Sequence, residues 1–247
     1  ITLSTATWGT GGGTIPFLPH PNVGEYLFAD GTWGTLAANS GKTPIAVIFS
    51  ATPSNTDKAK GWVHGYAMAL QNAPTTNSAE TCAWGPVDTD SPEPNFTSDY
   101  NTWKSNEDGY TETNLIGSNV NYPAFYYALK FNDVIPPPAG TSGWYLPSNG
   151  QWNDIIYTLG GITTSPSVYL GTDRVPSGEN TAEWSVPSPL NCQTAINVYI
   201  NNAKTANSSI NVDLIDRGDI DSSHILNNWG DYYWTSSEWN STYSFLA

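Results

Sequence analysis

Basic residues are the scarcest resource of this 247-residue chain: Lys and Arg total 8 against 22 Asp and Glu, a net charge of −14. Eight scattered cations cannot build the phosphate-neutralising stripe that nucleic-acid binding requires, nor the polybasic patch that docks on anionic lipid. Charged residues of both signs make up 12% of the chain, against roughly 25% in an ordinary soluble protein. Apolar runs are short, the longest resembling residues 45–49, far below the about 18 residues of a membrane span. Two cysteines, Cys82 and Cys192, are too few for a zinc site of their own; one disulfide and a pair of buried thiols are both open readings.

Aromatic residues fill the gap left by charge. With 11 Trp, 14 Tyr and 7 Phe, the chain has ample apolar surface to fold despite its acidity. Asn, Ser and Thr supply its polar surface. This composition is associated with secreted and cell-surface proteins, and the expected location is extracellular or at the outer-membrane surface, any leader or anchor having been removed.

Along the chain, residues 1–40 read as short strands and turns, an N-terminal β extension. Asp30-Gly31 lies between aromatic-rich runs, which is a hairpin signal. Residues 43–50 are β-branched and continuous, predicting a buried strand, and residues 61–73 predict another that turns at Asn72-Ala73-Pro74. Residues 74–112 form a long polar loop insertion, predicted to be ordered by Trp84, Tyr100 and Trp103.

Two or three helices are expected. Residues 123–130 place Pro at the first helical position. Residues 148–159 open with Ser148 followed by Gln151, the spacing of a capping box, and end at Gly160-Gly161. A weaker pattern covers residues 194–205. Residues 228–247 read as strand and turn. Strands, loop, helices and strands in that order give a single α+β domain of mixed short strands, two or three helices and long ordered loops, with no alternating βαβ units.

Two strings carry a resemblance: Gly143-Trp144-Tyr145-Leu146-Pro147-Ser148 leading into a helix, and Tyr233-Trp234-Thr235-Ser236-Ser237-Glu238 near the end. With residues 26–34, 42–49 and 64–73, they make the chain similar to the C-type lectin-like domains of Bacteroidetes surface proteins, of the fimbrillin-like or major paralogous domain type. That fold is related to the formylglycine-generating enzyme and to retroelement variable proteins. The resemblance implies a non-enzymatic adhesion module for a host or dietary glycan or a surface protein. The alternative is a structural pilus or cell-envelope subunit among other pilus subunits; a formylglycine-type oxidase is a remote one. In the variable proteins the ligand-contacting residues follow the terminal strand motif, which corresponds here to residues 239–243.

The chemical signals weigh against an enzyme. His20, His64 and His224 stand beside prolines, in an expected strand and in a polar loop, and none lies in a nucleophile-elbow or zinc-protease context. No cofactor is implied, with calcium left open. Glu93-Pro94-Asn95 and Trp152-Asn153-Asp154 match elements of calcium-dependent lectins, but the second falls on a predicted helix, where Trp152 is expected to pack on the sheet. Arg217-Gly218-Asp219 fits a turn. Asp213, Asp216, Asp219 and Asp221 cluster hard oxygen donors and form the calcium candidate. Aromatic rings beside amides and carboxylates suit sugar recognition, which makes Trp229, Asp231, Tyr232, Trp239, Asn240 and Tyr243 the candidate ligand-binding residues.

Overall fold

A continuous apolar run has to be covered on both faces, and the strand it forms is the centre of this fold. The computed structural model describes residues 2–3, 20–74, 82–86, 105–161, 189–215, 233–240 and 243–246. Strands β1 (Thr2–Leu3), β2 (Tyr26–Phe28), β3 (Trp33–Gly34), β4 (Pro44–Ser50) and β5 (Gly65–Ala69) form an antiparallel sheet in the order β1-β5-β4-β2-β3. β4, the expected buried strand, is covered at every residue but its last.

The hairpin expected at Asp30-Gly31 joins β2 to β3, with Gly31 at φ 83°. Asp30 holds the turn by accepting from the Thr32 amide at 3.0 Å, and Lys42 bridges to its carboxylate at 3.0 Å. In that sheet β2 lies between β4 and β3. The expected strand over residues 61–73 is confined to β5. His64 precedes β5, where Gly65 passes so close to β4 that a Cβ would lie 2.1 Å from the Ser50 carbonyl.

Alternation along β2 and β4 divides the core. Tyr26, Phe28, Val47 and Phe49 face α4 (Asn149–Thr158) and α5 (Pro189–Ala206), packing with Trp152, Ile155, Ile156, Leu159, Cys192, Ile196 and Ile200. Leu27, Ala46 and Ile48 face Trp144 and Phe131 of α3 (Pro123–Val134). A third cluster joins Trp84 to Ile116, Tyr122 and Phe125. Trp84 thus anchors part of the long polar stretch, as expected; Tyr100 and Trp103 lie outside the described residues.

The three expected helices are present. α3 has Pro near its start and runs four residues past the expected end. α4 carries the capping box, with the Ser148 amide donating to Gln151 Oε1 at 3.0 Å. α5 begins before the expected residue 194. Two helices were not expected: α1 (Asn55–Ala59), capped by Ser54 Oγ accepting from the Asp57 amide, and α2 (Gly109–Ile116), which begins inside the expected loop and runs past its end. The described helices therefore number five, above the two or three expected. A separate two-stranded antiparallel sheet, β6 (Trp234–Asn240) and β7 (Tyr243–Leu246), closes the chain and contacts α2 and α4 through β6. The architecture is mixed α+β.

Candidate functional site

The strand motif at residues 234–238 is rich in small hydroxyl side chains, and small hydroxyls are what a tightly enclosed strand can carry while still making hydrogen bonds. Thr235, Ser236 and Ser237 of β6 are all buried. The Ser236 amide donates to the Pro147 carbonyl at 2.9 Å, joining this motif to the Trp-Tyr-Leu-Pro-Ser step that leads into α4. The Asn149 amide, in the first turn of α4, donates to Ser237 Oγ at 3.3 Å. Trp84 Nε1 donates to the Thr235 carbonyl at 2.8 Å, so the third aromatic cluster also holds the strand.

A carboxylate lies at the centre of this junction. Glu112 of α2 is 0% exposed. Its Oε2 accepts from Ser236 Oγ and its Oε1 accepts from Asn106 Nδ2 at 2.6 Å. The same Asn106 amide reaches Ser237 Oγ at 3.3 Å. The Asn106 carbonyl accepts from Ser148 Oγ at 2.6 Å and from the Gly150 amide at 2.8 Å. Gly150 is required there, since a Cβ would lie 2.3 Å from that carbonyl. Thr113 fastens α2 to the same step by exchanging hydrogen bonds with the Leu146 amide and carbonyl. Segments far apart in sequence are thereby joined through buried and partly buried hydrogen-bonded groups, although the Asn149 side-chain amide beside them is buried with neither its Oδ1 nor its Nδ2 hydrogen-bonded.

Beyond Glu238 the chain continues into the β6–β7 hairpin, with Asn240 opposite Tyr243 and two residues between them. Trp239, Asn240 and Tyr243 of the candidate ligand-binding set therefore lie at the end of this hairpin, brought together by its register. Trp229, Asp231 and Tyr232 lie outside the described residues. Tyr233, just before β6, packs its ring 5.3 Å from that of Trp152, which is 7% exposed in the main core. Trp152-Asn153-Asp154 is on α4, as expected, with its tryptophan committed to packing.

Of the acidic calcium candidate, only Asp213 is among the described residues. Asp213 Oδ2 accepts from the Asn72 amide at 2.8 Å, closing the turn after β5, while Asp216, Asp219 and Asp221 lie outside the described residues, as do Glu93-Pro94-Asn95, Arg217-Gly218-Asp219 and His224. Among the described residues no group of three His, Cys, Asp or Glu is placed to hold a metal ion. Of the two readings of the cysteines, the structure takes the thiol one: Cys82 packs against the Trp84 cluster and Cys192 is buried in the main core. Burial pushes both thiols up, Cys192 to about 11, so neither is set up as a nucleophile.

Sequence reasoning missed two further carboxyls. Burial, and then the charges of Asp154 and Asp57, push Glu107 up to about 7, and burial pushes Asp154 up to about 6. Beside them Lys60 Nζ bonds Asp57 Oδ1 and Thr111 Oγ1, each at 3.0 Å, and lies over the rings of Trp62 and Tyr110. A carboxyl that titrates near neutrality can donate as well as accept a hydrogen bond. Nothing in the local sequence marks Glu107 or Asp154, because the charges around Glu107 come from Asp57 of α1 and Asp154 of α4, which are far from it in sequence. No family model matches the chain, and no curated protein or solved structure matches it either.

Proposed function

We propose that the chain is a non-enzymatic cell-surface binding module of C-type lectin-like fold, recognising a glycan or surface protein through the β6–β7 hairpin. The observation that carries this reading is the buried junction of Glu112, Asn106, Ser236 and Ser237. It fixes the root of β6 to α2 and to the start of α4, while the register of the hairpin gathers Trp239, Asn240 and Tyr243 at its far end. A binding surface held on a rigid root loses less conformational entropy on association, which favours affinity. The direct contact between the two motifs behind the family resemblance, Ser236 to Pro147, supports the finer fold assignment. Residue chemistry favours a sugar: an indole and a phenol supply stacking faces and an asparagine supplies a donor and an acceptor.

The test is an array of host and dietary glycans and mucins probed with the purified chain, with and without chelator. Binding to a defined subset that survives chelator supports recognition by stacking and hydrogen bonding. Binding that disappears with chelator moves the site to a calcium-dependent centre. Silence on glycans together with binding to a surface protein selects the protein ligand, and silence on both returns the structural-subunit reading.

A further inference from the structure

His64 is 4% exposed, yet neither Nδ1 nor Nε2 has a hydrogen-bond partner. A neutral imidazole carries one donor and one acceptor, and burying both unpaired is costly, so such a group in a well-packed position calls for an explanation. Its neighbours are rings. Trp33 lies 4.9 Å away and His20 lies 5.8 Å away, nearly edge-on to it. His20 is exposed at the surface end of this pair, and Pro21 after it is buried and anchors the backbone. On the other side, the close passage of Gly65 against Ser50 fixes the backbone next to His64.

We infer that His20 and His64 form a two-histidine site for a late first-row divalent cation such as Ni²⁺, Cu²⁺ or Zn²⁺. With metal–nitrogen distances of about 2.0–2.1 Å, two imidazoles on one ion place their ring centroids about 4.5–6 Å apart, which includes the separation seen here. Imidazole nitrogen is the donor these cations prefer. A net charge of −14 attracts cations to the whole molecule. The site is built from His20, ahead of β2, and His64, just before β5, and shares no residue with the β6–β7 hairpin.

The experiment is calorimetric titration of the tag-free chain with Ni²⁺, repeated on His20→Gln, His64→Gln and His224→Gln. The inference expects one saturable site in the micromolar range, weakened at least about tenfold by either of the first two substitutions and unchanged by the third. Cu²⁺ added to the wild-type chain should give an electron paramagnetic resonance spectrum with two imidazole nitrogens. Should His64→Gln disturb folding, the exposed His20 variant decides. Absence of saturable binding below about 1 mM, binding indifferent to His20→Gln, or loss of binding in His224→Gln would each overturn the assignment.

Discussion

Glu112 is the residue on which the junction between β6 and the body depends, and replacing it with alanine measures that dependence. The substitution removes the acceptors of Ser236 Oγ and Asn106 Nδ2 in a fully buried setting. Hydrogen bonds to a carboxylate contribute about 1.5–3 kcal/mol each, so losing both costs about 3–6 kcal/mol. With a urea m-value of about 3 kcal/mol/M, the unfolding midpoint falls by about 1–2 M. Glu112→Gln keeps the shape and the Oε1 acceptor, and its amide nitrogen can donate to Ser236 Oγ, so its loss is expected to be less than half as large. Urea unfolding followed by tryptophan fluorescence gives the midpoints. Hydrogen exchange at the Ser236 and Ser237 amides, whose partners are the Pro147 carbonyl and Thr235 Oγ1, reports the root of β6 directly. A Glu112→Ala chain within about 0.5 kcal/mol of wild type, with unchanged protection at those amides, would refute the claim that this carboxylate holds the strand.

Two further outcomes are expected. Between the ordinary carboxyl range and about 7 the folded chain holds more protons at Glu107 and Asp154 than the unfolded chain does, so their contribution to stability falls as pH rises through that window and levels off above it. Glu107→Gln and Asp154→Asn should therefore raise the urea midpoint more at pH 8 than at pH 4; an equal effect at both would contradict the burial argument. Cys192, buried and with its thiol pushed up to about 11, should resist an aromatic disulfide reagent in the native chain and react fully in denaturant. Rapid native reaction at Cys192, or an intact mass two protons short of the dithiol, would contradict its placement.

What could be read from the sequence was what local chemistry dictates. Residues 44–49 form a buried strand because a run of apolar residues has no other stable place. Ser148 with Gln151 starts α4 because each satisfies an orphan amide of the helix end. Pro123 begins α3 for the corresponding reason, lacking an amide to leave unpaired. Ser54-Asn55-Thr56-Asp57 also has the spacing of a helix start and could have revealed α1, but five residues without an apolar stripe give no periodicity to follow. α2 was hidden differently: it opens on Gly109 in a polar stretch, and its buried face includes Glu112 and Thr113, residue types that ordinarily face water. Glu112 is buried because its partner Ser236 arrives from 124 positions away, a pairing that no local window contains. The same holds for the candidate site, where the hairpin residues 239, 240 and 243 could be picked out by type, while the carboxylate holding its root could not.

The most direct test of the account is ligand binding by a Trp239→Ala/Asn240→Ala chain beside the wild type, with thermal unfolding of both. Both residues lie at the end of the β6–β7 hairpin, beyond the buried segment 235–237. The account predicts that the double variant loses binding to whatever glycan or protein the wild type recognises while its melting temperature stays within a degree or two. Undiminished binding by the double variant, or a loss of binding accompanied by an equal loss of folding, would contradict it.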